Sequence, residues 1–292
     1  MRKPILNRRS FVRDGTLLLL TGAVTQGSPP ATDAPPVLQI GMVTDLHHAD
    51  KDARGTRHYR ESLGKLEEAG RVFAEQRVDM VIELGDFIDS ASSLSAEKRH
   101  LKEVQSRFSQ LPGDRHHVLG NHCVHQLTKE EFLGGVEREV AHYSFDLAGF
   151  HFVILDACFR SDGVDYERNN FQWTDSNIPP AELEWLRADL KATRKPTLVM
   201  AHQRLDRAEQ HAVKNAGEVR AILEASGVVR AVFQGHSHRN DHQEINRIHY
   251  ATLVAMVEGT GAVNNGYSIL RVLSGGELAL TGFRNQLSRT WG

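Results

Sequence analysis

Five short clusters of histidine, carboxylate and amide side chains recur along the chain, and each directly follows an apolar run. In order they are Asp45-Leu46-His47, Gly85-Asp86-Phe87-Ile88-Asp89, Gly120-Asn121-His122, Met200-Ala201-His202 and Gly235-His236-Ser237-His238. All of them offer imidazole, carboxylate or amide groups as metal ligands, and none offers a cysteine thiolate. The pattern favours a site for one or two divalent metals over a structural zinc site, which uses thiolates or a closed shell.

Each apolar run that precedes a cluster is predicted to be a β-strand. These strands cover residues 37–44, 80–84, 116–119, 197–201 and 228–233. Apolar residues at helical spacing in residues 62–76 and 96–111 separate the first three strands. This βαβαβ order predicts a parallel sheet with right-handed crossovers.

The second half of the chain is predicted to contain more strand than helix. Its predicted strands cover residues 142–146 and 151–156 as a hairpin, and regions near 248–254, 267–273 and 277–284. Its predicted helices cover residues 180–191 and 217–226. No internal repeat or linker divides this part of the chain, so we predict one α/β domain over residues 37–292. It should be a two-sheet β sandwich flanked by helices.

Ligands of open α/β sheets bind at the carboxyl ends of the strands, so the five clusters are predicted to meet at one edge. Seven side chains are candidate metal ligands: Asp45, His47, Asp86, Asn121, His202, His236 and His238. Seven ligands are too many for one zinc-like ion and suit two ions that share a bridging carboxylate. Two ions about 3.5–4 Å apart can clamp the attacking and leaving oxygens of a phosphoryl displacement.

Taken singly, most clusters have an ordinary structural explanation. An aspartate at a strand end is often a turn or cap residue, and Gly120-Asn121-His122 could be a turn with a left-handed asparagine. The pair His236 and His238 is more specific, because packing seldom needs two histidines on one side of a strand end. The fixed order, with each cluster after a strand, is what makes a chance arrangement improbable.

The N-terminus predicts export. Arg8 and Arg9 are followed by Phe11 and by a short apolar stretch, residues 16–24, which matches a twin-arginine signal. We assign residues 1–36 to this signal peptide and a disordered linker, and expect a periplasmic or secreted protein. No stable membrane span is expected after processing. The alternatives are a basic N-terminus on a buried helix or an uncleaved membrane anchor.

Composition adds two exclusions. The formal net charge of −2 gives no reason to expect nucleic acid as a generic partner. Two cysteines, Cys123 and Cys158, exclude a disulfide framework and lack the spacing of a zinc or redox site. The oligomeric state is left open by the sequence.

The five clusters in this order resemble the full signature of the calcineurin-like metallophosphoesterases, from about Val37 onward. The resemblance implies a four-layer αββα fold, with two divalent or trivalent ions of manganese, iron or zinc. It implies that one ion is held by Asp45, His47, Asp86 and His238. It implies that the other is held by Asp86, Asn121, His202 and His236, with Asp86 bridging.

The same resemblance implies a reaction in which a metal-bound hydroxide attacks phosphorus in line. His122 would then be the catalytic residue that stabilises the transition state or protonates the leaving oxygen. Members of the superfamily often have Asp or Glu after Gly-Asn-His to orient this histidine, and here the residue is Cys123. Asp89 could take the orienting role. Cys123 is expected to be a packing residue rather than a catalytic thiol.

A narrower resemblance is to manganese-dependent ADP-ribose/CDP-alcohol diphosphatases, carried by residues 49–63, 144–157 and 184–186. It implies a small phosphorylated substrate, such as a nucleotide, cleaved at a phosphodiester or pyrophosphate linkage. Arg57 and Arg60, near a helix start, could bind a second phosphate. The alternative is that both arginines lie on a solvated helix face.

The segment of residues 160–177 is long and polar and has aromatic residues in or beside it: Phe159, Phe171 and Trp173. It could be a lid that stacks on a base, or a loop pinned by its own aromatics. Two other functions stay open. One is a phosphomonoesterase, including a phosphoprotein phosphatase, and the other is a non-catalytic relative that binds metal or phosphate.

Overall fold

The computed structural model describes residues 35–292, together with the backbone of residues 10–13 and 16–19. These two short segments pair as antiparallel strands, β1 (Ser10–Arg13) and β2 (Thr16–Leu19). The predicted signal peptide and linker, residues 1–36, otherwise lie almost wholly outside the described residues. Every helix in the described part of the chain is too short or too polar to span a bilayer.

The described domain contains twelve further strands and five α-helices. The strands are β3 (Pro36–Val43), β4 (Met80–Glu83), β5 (Asp114–His117), β6 (Tyr143–Leu147), β7 (Phe150–Ile154), β8 (Thr197–Met200), β9 (Val229–Gln234), β10 (Asp241–Ile245), β11 (Ile248–Thr252), β12 (Gly266–Leu273), β13 (Leu278–Arg284) and β14 (Arg289–Trp291). The helices are α1 (Ser62–Gln76), α2 (Leu94–Phe108), α3 (Lys129–Gly135), α4 (Pro180–Ala192) and α5 (Ala216–Ser226).

The strands form two six-stranded mixed sheets. Sheet 1 has the order β14-β13-β12-β3-β4-β5, and β3, β4 and β5 are parallel. Sheet 2 has the order β10-β11-β9-β8-β7-β6, and β7, β8, β9 and β11 are parallel. The two-sheet sandwich predicted from the sequence is confirmed.

Side-chain alternation along the strands separates the layers. Met80 and Ile82 of β4 face the core between the sheets, where they join Phe152 and Phe233 of sheet 2. Val81, which lies between them, faces the opposite way and packs with helices α1 and α2. Helices α4 and α5 cover the outer face of sheet 2 in the same manner. The order of layers is therefore helix, sheet, sheet, helix.

The elements that sequence patterns did not predict are short or polar. Helix α3 has only seven residues, and its start is fixed by a capping box between Thr128 and Glu131. Strands β10 and β14 are edge strands, and β10 has the polar sequence Asp-His-Gln-Glu-Ile. The predicted strand at 116–119 lies at Asp114–His117, because pairing with β4 sets its position rather than its apolar content.

Candidate metal centre

The five clusters lie at one edge of the sandwich, just after the carboxyl ends of β3, β4, β5, β8 and β9. Backbone groups hold them against one another. The amide of Asp45 donates to the carbonyl of Gly85 at 3.0 Å, and the amide of His236 donates to Oδ2 of Asp45 at 3.1 Å. The amide of His122 donates to Oδ1 of Asp86 at 2.8 Å. Residues far apart in sequence thus form one network.

Five of the seven candidate ligands adopt left-handed backbone conformations. Their φ values are 52° for Asp45, 45° for His47, 57° for Asp86, 68° for His236 and 59° for His238. Such φ values are uncommon for residues other than glycine and cost on the order of 1–3 kcal/mol each. The surrounding network must therefore hold these residues in place, as is usual at functional sites.

Three glycines let the clusters approach closely. A Cβ atom at Gly85 would overlap His202, and one at Gly120 would overlap the backbone of Asp86. A Cβ atom at Gly235 would overlap Thr44 and Asp45. Each glycine therefore removes the side chain that would separate two clusters.

The first group of candidate ligands consists of Asp45, His47 and His238. Nε2 of His47 lies 3.1 Å from Nε2 of His238 and 3.7 Å from Oδ1 of Asp45. Nε2 of His238 lies 3.3 Å from the same aspartate oxygen. Three ligand atoms therefore face a common point.

The second group consists of Asp86, His202 and His236, all of which are buried. Oδ2 of Asp86 lies 3.1 Å from Nε2 of His202, and that nitrogen lies 3.2 Å from Nδ1 of His236. The same oxygen of Asp86 lies 3.5 Å from Nε2 of His47 in the first group. One carboxylate oxygen thus reaches both groups, as a bridging ligand would have to.

Three buried polar atoms of the candidate ligands lack a hydrogen-bond partner within the described residues. They are Oδ1 of Asp45, Oδ1 of Asn121 and Nε2 of His236. An unsatisfied buried polar atom costs about 1–3 kcal/mol, so such atoms are usually paired. The carboxylate and amide oxygens left free in this way suit divalent cations, and the donor set therefore fits the two expected ions.

The carboxylates are held ionised by neighbouring histidines. Burial alone would raise the pKa of Asp86, but the charges of His202, His122 and His47 hold that pKa well below its usual range. Asp45 behaves in the same way, with His238 as the main opposing charge. The site is thus rich in buried negative charge.

The histidines show the reciprocal effect. Burial disfavours a charge on His238, yet Asp45 and Glu258 raise its pKa to about 9. The carboxylates also raise the pKa of His47 and His202. A site that draws protons onto its histidines is one in which bound cations would be favoured in their place.

Asp89 lies between two histidines. Its Oδ2 accepts a hydrogen bond from Nδ1 of His47 at 2.8 Å and lies 3.3 Å from Nδ1 of His122. Its Oδ1 accepts from Nζ of Lys51 at 2.6 Å. Asp89 is therefore in position to orient both imidazoles.

Cys123 is fully buried in the apolar core, and burial raises the pKa of its thiol well above the usual value.

Acceptors also fix the ring orientation of two other candidate ligands. Oε1 of Glu258 accepts a hydrogen bond from Nδ1 of His238 at 2.6 Å. The carbonyl of Leu84 accepts from Nδ1 of His202 at 2.8 Å. In both histidines Nε2 is then the nitrogen left for coordination, since a metal-binding histidine usually donates its other N–H to such an acceptor.

The two arginines proposed for phosphate binding have different surroundings. Arg57 lies at the rim of the site, with one guanidinium nitrogen 3.9 Å from Oδ2 of Asp89 and another 4.0 Å from Oε1 of Glu258. The structure does not bring Arg60 to the site. Its guanidinium pairs with the exposed Asp50 at 2.6 Å and with Asp52 at 2.8 Å.

The aromatic residues around residues 160–177 also divide in two. Phe171 stacks on Tyr166 with ring centroids 4.0 Å apart, and Phe159 lies under Nζ of Lys129. Tyr166 is itself buried in the core, and Lys129 belongs to α3, so both contacts pin the segment to the body of the domain. Trp173 instead lies beside the second ligand group, with its ring centroid 5.6 Å from that of His236.

Sequence reasoning missed three residues at this edge: Lys51, His211 and Glu258. Glu258 offered a signal, because it follows β11, a strand parallel to β9 in the same sheet. Ligands bind at the carboxyl ends of such strands, so Glu258 could have been predicted as a site residue in the same way as the five clusters. Lys51 and His211 lie in loops, and no local pattern distinguishes them from surface residues.

Residues 38–240 match the family model described as calcineurin-like phosphoesterase. A manganese-dependent ADP-ribose/CDP-alcohol diphosphatase from Oryza sativa subsp. japonica is 25% identical and covers 82% of this chain and 91% of its own length. A 3',5'-cyclic-nucleotide phosphodiesterase from a Nostoc species is 23% identical, over 73% of this chain and 76% of its own length.

A solved structure has a similar fold. It is a dimetal phosphatase from Danio rerio, 20% identical in sequence, with a TM-score of 0.77. The match covers 87% of this chain and 98% of that one. At this identity the likeness concerns the fold.

Proposed function

Because the chain belongs to the calcineurin-like phosphoesterase family, and is thus a hydrolase that works with two metal ions, we propose that it cleaves the pyrophosphate linkage of a nucleoside diphosphate ester. The observation that carries the two-ion part of this proposal is the Asp86 carboxylate, whose Oδ2 reaches both groups of candidate ligands. The rice relative, whose name specifies ADP-ribose and CDP-alcohols, supports this substrate class. The name of this relative, a manganese-dependent diphosphatase, also favours manganese as the metal.

Asp45, His47, Asp86 and His238 would hold one ion, and Asp86, Asn121, His202 and His236 would hold the other. When bound, the pair supplies Lewis-acid activation of the phosphoryl group and lowers the pKa of bound water. The side chains contribute a fixed geometry, because Asp89, Glu258 and the Leu84 carbonyl set the ring orientations.

His122 is proposed as the catalytic residue. Its imidazole is partly exposed, and its ring centroid lies 4.5 Å from that of His47. An imidazole in this place can donate a proton to the leaving oxygen or a hydrogen bond to the phosphoryl group. Asp89, whose Oδ2 lies 3.3 Å from Nδ1 of His122, would orient this imidazole.

A panel of substrates tests the proposal. Purified protein would be reconstituted separately with manganese, zinc and iron, then assayed on ADP-ribose, CDP-alcohols, cyclic nucleotides and phosphomonoesters. We expect the highest kcat/KM on a nucleoside diphosphate ester with manganese. We expect Asp86→Ala and His122→Ala to abolish turnover, while the exposed Asp162→Ala should retain it.

Different results would select other functions. Preference for cyclic nucleotides would favour the phosphodiester class named for the Nostoc relative. Preference for monoesters would favour a phosphomonoesterase or phosphoprotein phosphatase. Two ions per chain without activity on any substrate would indicate a non-catalytic metal binder, and full activity of Asp86→Ala would refute the dimetal site.

We also propose that the protein is exported through the twin-arginine pathway. Support comes from Arg8, Arg9 and Phe11 in front of the apolar stretch of residues 16–24. Export of the full chain would be measured by fractionation of a bacterial host. Replacing Arg8 and Arg9 with lysine should retain the protein in the cytoplasm, and unchanged export of that variant would contradict the proposal.

A further inference from the structure

Trp173 is an exposed aromatic side chain beside the candidate metal centre. Its side chain is 39% exposed, and it is the one aromatic among the large hydrophobic side chains that are exposed in the described part of the chain. Its ring centroid lies 5.6 Å from that of His236 and 5.3 Å from that of His211. His211 lies 5.5 Å from His236, so the three rings form a triangle.

The turn that carries Trp173 is fixed on both sides. Oη of Tyr166 donates to the carbonyl of Gln172 at 3.0 Å, and the amide of Asp175 donates to the same carbonyl at 2.8 Å. Oγ of Ser176 donates to the carbonyl of Ala157 at 2.9 Å. The indole therefore stands on a braced turn rather than on a free loop.

The loop that carries His211 is braced as well. The amide of Arg204 donates to the carbonyl of His211 at 3.1 Å, and the amide of Val213 donates to the carbonyl of Arg204 at 2.9 Å. The Arg204 guanidinium is nearly buried and pairs with Asp206 and Asp241, each at 2.6 Å. The indole of Trp173 and the imidazole of His211 are thus held in position by the protein itself.

The two rings and Arg57 approach different groups of candidate ligands. Trp173 and His211 contact His236, in the second ligand group. Arg57 instead approaches Asp89 and Glu258, which orient histidines of the first group and His122. A substrate with two phosphates and a planar ring at one end would thus meet a cation on one side and aromatic rings on the other.

We propose that Trp173 and His211 form a subsite that stacks on the base of a nucleoside monophosphate unit. This inference rests on the proposed function, and it predicts the orientation in which the substrate binds. The nucleoside half lies over the second ligand group, and the phosphate that bears the other alcohol faces Arg57. Aromatic side chains stack on any base, so the subsite favours nucleotides over base-free phosphates without selecting one base.

AMP and ribose 5-phosphate form a matched pair of probes, because they share the sugar phosphate and differ in the base. In manganese-loaded protein, we expect AMP to bind at least about tenfold more tightly than ribose 5-phosphate. Trp173→Ala should remove most of that preference, and Trp173→Phe should keep most of it. Val164→Ala, at an exposed position of the same segment, should leave both affinities unchanged.

Intrinsic fluorescence gives a second readout that needs no turnover. AMP should quench the emission of the wild type, and the quenching should be lost in Trp173→Phe, which retains Trp185 and Trp291. Equal affinity for the two probes, no binding of AMP, or the same quenching in Trp173→Phe would overturn the subsite. If AMP binds as expected but no diphosphate ester is hydrolysed, the proposed function fails while the subsite stands.

Discussion

At the scale of single residues, the site depends on backbone conformations that its own side chains disfavour. Asp45, His47 and Asp86 have positive φ values, and glycines sit where two clusters touch. Left-handed conformations cost energy, so they persist only where the neighbouring structure determines them. The ligand geometry is therefore a property of contacts between clusters more than of any one cluster.

Gly85→Ala tests this dependence against a matched glycine. Both Gly85 and Gly149 have positive φ, 100° and 84°, but only at Gly85 would a Cβ atom overlap His202. Each alanine should destabilise the fold by about 1 kcal/mol or more through φ alone. Gly85→Ala should in addition lose most of its bound metal, measured by elemental analysis. Equal metal content in the two variants would contradict the close-approach argument.

Glu258→Gln tests the acceptor that orients His238. The carboxylate accepts from Nδ1 of His238 at 2.6 Å, so its loss should weaken metal binding by about 10–100-fold. Manganese affinity would be measured by titration of the apoprotein. Glu244→Gln is the control, because exposed Glu244 lies 3.8 Å from His249 away from the site. Unchanged affinity in Glu258→Gln would show that this contact is dispensable.

Arg57 and Arg60 form another matched pair. Arg57→Ala should raise the KM for a diphosphate substrate about tenfold, because a charged donor to the second phosphate is lost. Arg60→Ala should have little effect, since its guanidinium is engaged by Asp50 and Asp52. Steady-state kinetics on ADP-ribose would decide between them. A larger effect at Arg60 would reverse the assignment.

At the scale of elements, five strand ends supply the candidate ligands, and loops supply the other residues of the site. Strands β3, β4 and β5 in sheet 1 and β8 and β9 in sheet 2 end at the same edge. Their alternating side chains fill three core clusters, so their positions are fixed by packing. The loop after β7 brings Trp173 to the candidate ligands, and the loop after β8 brings His211 there.

The edges of the two sheets meet at His116 on β5 and Phe145 on β6, which stack with ring centroids 4.0 Å apart. Burial, with a smaller effect from Arg138, lowers the pKa of His116 to about 4. The imidazole of His116 takes up a proton near pH 6.5 in the unfolded chain and only near pH 4 in the folded protein. The contribution of His116 to stability is therefore lost as pH falls through this window, by about 2 kcal/mol from pH 7 to pH 5.

His116→Phe should remove that loss. Phenylalanine can keep the stack on Phe145, although it gives up the contact between Nδ1 of His116 and Oη of Tyr143 at 3.1 Å. The variant can thus be less stable at pH 7 and still depend less on pH. Free energies of unfolding from denaturant titrations at pH 7 and pH 5 would be compared. Parallel losses in wild type and variant would refute the role of His116.

At the scale of the whole molecule, the metals should stabilise the fold that positions them. The edge joins both sheets, and its buried carboxylates and unpartnered polar atoms are satisfied when cations bind. Ions that bind only the folded state add about 2.7 kcal/mol per site at 100 times the dissociation constant. For a domain of this size, each kcal/mol raises Tm by roughly 2–4 °C.

Removal of both ions by a chelator should therefore lower the Tm of manganese-loaded protein by about 10–20 °C. Differential scanning calorimetry with and without a chelator would measure this change, and added manganese should reverse it. Asp86→Asn is the control, because a protein that no longer binds both ions has less stability to lose. An equal shift in Asp86→Asn would show that the chelator acts elsewhere.

The order of the five clusters and their strands determined the fold class and the set of candidate ligands. This was possible because strand alternation and strand-end placement are local properties that sequence periodicity reports. The helix at 62–76 coincides with α1, and the clusters lie together as expected. The substrate class and the export route stay proposals.

Only the tertiary structure decided which side chains outside the clusters join the site. Lys51 and His211 come from loops, and their positions depend on contacts between distant segments. The same holds for the separation of Arg57 from Arg60, three residues apart in one short segment. A loop carries no periodic signal, so the partners of its side chains are set by the packed body around it.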